Sequence, residues 1–347
     1  MNPEDNTTQA PVSLEQSKDK KSLKWLSKFL LAISVLLYIF LFYAYLIQPD
    51  FLAAVTFWPL WVWSIIGIFL SIAAMYINKK IRLIMTCIWL LFLGFMSEES
   101  PALLRGCIYG ERDYKSAFKD KNIIRIISFN CAGGNPDAVK SIYQYAPDIV
   151  LLQESPSIEN LSVIAKELFA DEGGFVKEGD TAILARGQIR KTEISKENRS
   201  IMVCARINLP SGLEIEAASV HLIPPASALN LFSPSCWREH REDRRLRLQQ
   251  IVAIKEHLDT IEENVPLLVG GDFNANPWVG ASKLLSLRLY DTFKRGGAGW
   301  PGTGPAYLPL WRVDQIWVGK QFRTIKVFCK NSKYSDHRIV ICYLNKI

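Results

Sequence analysis

The chain of 347 residues carries a net charge of +7, and 49% of its residues are apolar. Such a length admits more than one domain, and such an apolar share excludes a chain that stays disordered throughout. The seven cysteines show neither the CxxC nor the Cys/His spacing of a cysteine-based zinc site.

Residues 1–28 open with Asn, Thr, Gln, Ser and Pro and then gather Lys18, Lys20, Lys21, Lys24 and Lys28. A composition of this kind predicts a disordered basic tail. The runs 29–47 and 51–77 carry no charge at all except at their flanks, and each is long enough to span a bilayer. A third run, 81–96, falls short of the roughly 20 residues a spanning helix needs, but Arg82 can snorkel to the interface. Three transmembrane helices are therefore expected over 29–96, with Trp58, Trp61, Trp63 and Trp89 among them. The lysines before the first run place the N-terminus in the cytoplasm. Gln48-Pro49-Asp50 has no positive charge and should face out, Lys79, Lys80 and Arg82 should face in, and Glu98 and Glu99 out again. Everything after the third run is then extracytoplasmic. The first run is too long for a cleaved signal peptide, and the first two spans hold no Asp or Glu that could line a transport path. Residues 97–120 read as a linker with room for a short helix on the membrane face.

From residue 121 on, the pattern becomes that of a mildly basic α/β domain. Predicted strands cover 123–129, 148–152, 213–220, 265–269, 313–318 and 338–343, with helices over 136–145, 156–169 and 239–260. The strand ends carry the polar residues: Asn130, Gln153-Glu154, His221, Gly270-Gly271-Asp272-Phe273-Asn274, Asp314, and Ser335-Asp336-His337. α/β folds place their chemistry on such ends. Residues two apart on a strand share a face, so Asp272 and Asn274 pair a proton acceptor with a neutral donor, and the two glycines let the backbone turn tightly. Singly, each residue has a plain alternative: Asp272 as a turn former, Glu154 as the cap of the next helix, a histidine bonded to a carbonyl.

The loop after His221 is the expected specificity element. On the helix after it, Arg241, Arg244 and Arg245 read either as a phosphate clamp near a helix N-terminus or as a solvated basic face. His240 and His257 are expected as solvated helix residues. Trp300, in a glycine-rich loop with Tyr307 and Trp311 beyond it, could stack on bases, enter a bilayer interface or pack the loop down. Cys204 and Cys342 are expected as buried thiols; an outside location leaves disulfides open for the other cysteines beyond the membrane region.

Phe129-Asn130, Leu152-Gln153-Glu154, Ser219-Val220-His221, Gly271-Asp272-Phe273-Asn274, Arg312-Val313-Asp314 and Ser335-Asp336-His337 resemble, in order, the motifs of the endonuclease/exonuclease/phosphatase superfamily. The resemblance covers about residues 120–347. It implies a four-layer α/β sandwich, two mixed sheets flanked by helices, occupying 121–347 behind the three-helix membrane bundle. It also implies that Glu154, with Asn130 nearby and Asp336 completing the oxygen shell, holds Mg²⁺ or Mn²⁺. Asp272 would orient or deprotonate a water and Asn274 would hold that water or a phosphate oxygen. His337, fixed by Asp314, and His221 would face the phosphate. Arg241, Arg244, Arg245 and Trp300 would bind substrate. The function so implied is a membrane-anchored phosphoesterase, first of all a nuclease. The alternatives are a phosphodiesterase or phosphatase acting on phospholipids or inositol phosphates, and a non-catalytic membrane scaffold. Ala132 stands where some nuclease members carry an acidic residue two positions after the first Asn, so abasic-site repair is not implied.

Overall fold

The computed structural model describes residues 12–109, 123–277 and 282–347. The start of the expected tail, residues 1–11, and the stretch 110–122 that ends the expected linker lie outside the described residues. Two compact units emerge. The first takes the chain up to Ile47 and again from Leu60 to Ser97, and the second joins Gln48–Pro59 to everything from Glu98 on. The α/β unit is thus larger than the expected 121–347.

In the first unit one helix runs Val12–Ile47. Residues 12–28, expected as a disordered tail, are helical instead, and the stretch contains neither Gly nor Pro to interrupt it. Its part Lys20–Ile47 is long and apolar enough to cross a membrane by itself. The second expected span is broken. Trp58 is extended, with ψ 143°, as a residue before proline must be to clear the Pro59 ring. Residues before the break form the short helical elements Asp50–Leu52 and Ala53–Phe57, and only Leu60–Ala73, 14 residues, follows it. Lys79–Met96 adds 18 residues behind an Asn78 cap. Three spans result only if the pieces on both sides of each break are counted together. Inside the unit, Ser34 Oγ lies 2.8 Å from Ser71 Oγ and accepts the Trp89 indole N–H at 2.9 Å. Gly67 sits under the Trp89 ring, whose nearest atom is 2.0 Å from where a Cβ would be. Small residues here let helices approach closely, as apolar helices do in lipid.

The second unit holds two six-stranded mixed sheets. The strands in chain order are β1 Ile123–Asn130, β2 Ile149–Gln153, β3 Gly173–Glu178, β4 Thr181–Arg186, β5 Gln188–Thr192 and β6 Met202–Asn208. They continue as β7 Glu214–His221, β8 Leu267–Asp272, β9 Leu289–Asp291, β10 Asp314–Gly319, β11 Phe322–Lys330 and β12 Ile339–Lys346. One sheet is ordered β11-β12-β1-β2-β4-β3 and the other β5-β6-β7-β8-β10-β9. Alternation sorts each central strand between two cores. Ile124, Ile126 and Leu151 pack with Ala217, Leu268 and Ile316 between the sheets. Ile127, Phe129 and Leu152 instead face helix Ile158–Phe169, and Ala218, Val220 and Val269 face helix Pro234–Asp259. The expected four-layer sandwich is therefore present.

Two features position the site. β1 runs parallel to β2 and β7 parallel to β8, with Asn130 opposite Gln153 and His221 opposite Asp272. Gln153 Nε2 donates to Ser219 Oγ at 3.0 Å, and Ser219 Oγ donates to Leu152 O at 2.9 Å, pinning the two parallel pairs together across the sandwich. The glycines before Asp272 serve a close approach rather than a tight turn: Gly271 has φ 149°, and a Cβ there would meet Val220 O at 1.9 Å. The helix after β2 starts at Ile158 with Ser157 as its cap, so Glu154 is not spent on capping. All seven cysteines are free.

Candidate active site

Two histidine–aspartate pairs face one carboxylate. His337, two residues before β12, places Nδ1 2.9 Å from Asp314 Oδ2 at the start of β10. His221, the last residue of β7, places Nδ1 2.6 Å from Asp180 Oδ2. Both Nε2 atoms lie 3.8 Å from Oδ2 of Asp272. A carboxylate behind each imidazole fixes the tautomer and leaves Nε2–H pointing into the site. Burial would lower the His337 imidazole, but the Asp314 carboxylate and its hydrogen bond outweigh it and hold the group up at about 10. Burial likewise opposes charge on His221, and there the Asp180 hydrogen bond and the Asp272 charge prevail, so it too is raised.

Asp272 is almost fully buried. Burial, and then the charge of Asp314, push its carboxyl up to about 6, against the pull of both histidines. Its Oδ1 accepts the Asn274 backbone N–H at 2.8 Å, and its Oδ2 accepts from Asn130 Nδ2 at 3.3 Å. The same Asn130 amide donates to Glu154 Oε1 at 3.1 Å, while its oxygen accepts from Ala132 N at 3.0 Å. Asn130 thereby holds two carboxylates at a set spacing. Asn274 donates its side-chain amide to Leu222 O at 2.8 Å, so that group orders the β7 loop before it can reach a ligand. Glu154 and Asn274 both have left-handed backbones, φ 44° and 49°. Asn tolerates that conformation; Glu does so at a cost, and strain of this kind clusters at functional sites.

The donor set suits a hard cation. Glu154 and Asp336 line one open depression of about 540 Å³ with Ala132, Lys333, Tyr334 and Ser335. Oxygen ligands with room for several waters are what Mg²⁺ accepts. A tighter cluster, Asp272, Asp314 and His337, has ligand atoms within 4.8 Å of one another. In that cluster His337 Nδ1 is already bonded to Asp314 Oδ2. Ser335 Oγ donates to Asn130 O at 2.7 Å and accepts the His337 N–H at 3.0 Å, tying the Ser-Asp-His segment to the end of β1.

Three of the residues expected to bind substrate, Arg244, Arg245 and Trp300, are engaged elsewhere. Arg244 is buried, and its guanidinium donates to Gln48 O at 3.2 Å, to Pro49 O at 3.3 Å and to Thr56 Oγ1. Arg245 pairs with Asp50 at 3.5 Å. Among the described residues, no hydrogen bond or ion pair ties Arg241 to the site. The helix presents Cys236, His240, Arg244, Arg247, Ile251, Ile254 and Leu258 inward, a face rotated from the expected one. His240 is accordingly buried against Ala228 O rather than solvated, and His257 is partly covered. Trp300 spends its indole N–H on Pro309 O at 2.7 Å, so it packs its own loop. Asp180 had no sequence signal beyond the turn: it is the second residue of the Gly179-Asp180 hairpin between β3 and β4, far in sequence from His221.

The sequence pattern of the Endonuclease/Exonuclease/phosphatase family matches residues 127–337. No curated protein matches the chain. Several solved structures share the fold. An endonuclease/exonuclease/phosphatase from Bacteroides vulgatus is 16% identical over 65% of this chain and 100% of its own, with a TM-score of 0.50. An endonuclease/exonuclease/phosphatase family protein from Bacteroides thetaiotaomicron is 15% identical over 65% and 98%, with a TM-score of 0.50. A functionally unknown conserved protein from Enterococcus faecalis V583 is 15% identical over 65% and 100%, with a TM-score of 0.51. At these identities the likeness concerns the fold alone.

Proposed function

The chain belongs to the Endonuclease/Exonuclease/phosphatase family, and from that premise we propose that it is a divalent-metal-dependent phosphodiesterase. The activities in the family's name are all hydrolyses of phosphate esters. The observation that carries the reading is the convergence of the two histidine–aspartate pairs on Asp272, 3.8 Å from each Nε2. Asp272, poised near 6, takes a proton from the attacking water at neutral pH. His337 and His221 direct Nε2–H donors at the non-bridging oxygens as negative charge builds there. Asn130 and Asn274 are positioning residues that hold the carboxylates. Glu154 and Asp336 are the residues that would hold Mg²⁺, or Mn²⁺ in its place, and the ion when bound supplies Lewis-acid polarisation of a phosphoryl oxygen.

Nucleic acid is the first substrate class, since Tyr307, 85% exposed and next to Ala306, whose N–H donates to Asp336 O at 2.6 Å, offers a stacking face to an unpaired base. One observation favours a second reading, a phospholipid-borne phosphodiester. Leu229 and Phe232 (98% exposed), on the loop after His221, and Leu308 beside Tyr307 are apolar and open to solvent, which suits a bilayer surface. Helix Lys20–Ile47 supplies an anchor long enough for either. On the same reading the lysines before that helix favour a cytoplasmic N-terminus, with this unit on the opposite side of the membrane.

The test uses the full chain in detergent with Mg²⁺ against single- and double-stranded DNA, RNA, sphingomyelin and inositol phosphates, beside Glu154→Gln. Metal-dependent cleavage of one class, lost in the variant, is expected. Cleavage of none, or equal Mg²⁺ dependence in the variant, would overturn the reading.

A further inference from the structure

Two pieces of chain next to the apolar helices reach into the catalytic unit. The first is Gln48–Pro59, which packs within that unit. Leu52, Ala53, Ala54, Val55 and Thr56 are all buried there. The Phe57 ring lies 4.7 Å from the His240 ring and 5.1 Å from that of Trp311. The carbonyl of Phe57 accepts two hydrogen bonds, from Asn276 Nδ2 at 3.1 Å and from Trp311 Nε1 at 3.1 Å. Asn276 lies two residues beyond Asn274, and its Oδ1 accepts the Arg312 backbone N–H at 3.2 Å. One backbone carbonyl therefore joins the loop leaving β8 to the segment entering β10.

The second piece begins at Glu98. Its carboxylate takes a two-pronged pair from Arg312, Nε to Oε1 and Nη2 to Oε2, each at 2.7 Å. Arg312 is buried and also bonds Asp291 at the end of β9. It stands two residues before Asp314, whose N–H and that of Val313 are both received by Thr303 Oγ1. The following helix, Glu99–Tyr109, continues the grip: Arg105 Nε donates to Gly297 O at 2.7 Å, and Ala102 O accepts the Gly299 N–H at 2.9 Å. A buried guanidinium with two carboxylates is a rigid joint, since losing either partner leaves a buried charge uncompensated.

We propose that Asn276 and Arg312 are positioning residues through which the juxtamembrane segments, by Phe57 O and the Glu98 carboxylate, set the loops carrying Asp272, Asn274 and Asp314. The membrane-proximal chain is on this account part of the active site's frame and not a detachable tether. The effect on turnover rests on the phosphodiesterase reading; the effect on the loops does not. A displacement of about 1 Å at reacting groups costs turnover on the order of a hundredfold.

The experiment compares full-length wild type with Asn276→Ala, Trp311→Phe and Glu98→Gln in detergent, reading amide hydrogen exchange, melting temperature and steady-state kinetics on the substrate that wild type cleaves. Asn276→Ala removes its bond to Phe57 O and the bond it accepts from the Arg312 N–H, and Trp311→Phe removes only the indole bond to Phe57 O while keeping a ring. The expected result is exchange at least tenfold faster in peptides covering 270–277 and 311–315. It should come with kcat reduced between about tenfold and a hundredfold, KM within about threefold of wild type, and the Trp311→Phe melting temperature close to wild type. Wild-type exchange in those peptides for both Asn276→Ala and Trp311→Phe overturns the proposal. So does faster exchange with unchanged kcat. Should Glu98→Gln fail to fold, the other two variants decide. Should no substrate be cleaved, the exchange measurement decides the loop-setting role and the kinetic failure falls on the phosphodiesterase reading alone.

Discussion

Asp314→Asn should weaken the enzyme far more at pH 8 than at pH 6. In the wild type Asp314 Oδ2 sits 2.9 Å from His337 Nδ1, and the imidazole is held at about 10 against an ordinary 6.5. It is therefore charged throughout the neutral range, and this contribution is lost only as pH rises through about 10. Asparagine keeps the shape but carries no charge. If the imidazole then falls to 6.5, only about 3% of it is charged at pH 8, a loss of roughly thirtyfold from this source alone. At pH 6 most of the imidazole stays charged and the same source costs less than about twofold. Asparagine also turns an NH₂ toward Nδ1 as readily as an oxygen, which would select the wrong tautomer and add a pH-independent loss on top. The assay is kcat against pH from 5.5 to 10 with saturating Mg²⁺, for wild type, Asp314→Asn, His337→Ala and the double variant. The basic limb should move down by several pH units in Asp314→Asn, and the double variant should be little worse than His337→Ala. An unmoved basic limb, or losses that multiply in the double variant, would mean that the pair does not act as a unit and that Asp314 is a strand residue with a neighbour.

Asp272→Asn should abolish turnover yet leave the fold as stable as wild type, or more so, at pH 8. The folded carboxyl is raised from 3.8 to about 6, so its stabilising contribution is complete below 3.8 and is lost as pH rises through 6. Ionised Asp272 thus opposes folding at pH 8 by up to about 3 kcal/mol; a melting temperature several degrees below wild type would refute this. Asp180→Asn should lower kcat by about tenfold or more with little change in KM, because Asp180 orients His221 through a 2.6 Å bond; unchanged kinetics would make that pair ornamental. Glu154→Gln should raise the Mg²⁺ concentration needed for half-maximal turnover by at least about tenfold, the loss of a charged oxygen ligand, read by metal titration at fixed substrate. Arg245→Ala should leave turnover within about twofold, because its exposed pair with Asp50 is of the kind worth little.

How much of this was legible in the sequence depends on the range of the forces involved. The strand ends that carry Asn130, Glu154, His221, Asp272, Asp314 and His337 could be read from apolar runs ending in polar residues, because alternation and strand length are local properties of the chain. The ordered motifs then fixed the family, and the pattern match over residues 127–337 agrees with them. The break at Trp58–Pro59 shows the limit of local reading. Hydropathy counted 51–77 as one span, but the Pro59 ring forces Trp58 out of the helix and frees 50–57 to pack elsewhere. The role of Arg244 was decided by that same event: a guanidinium expected to meet phosphate found three oxygens on a segment some 190 residues earlier. Asp180 escaped notice for a related reason, since a turn residue acquires its function only from what the fold brings opposite it. Sequence determines which residues lie at strand ends and which faces are apolar, because those follow from neighbours along the chain. Which buried charge meets which partner is decided only when distant segments close on one another, since the cost of leaving a guanidinium or carboxylate unpaired is paid in three dimensions.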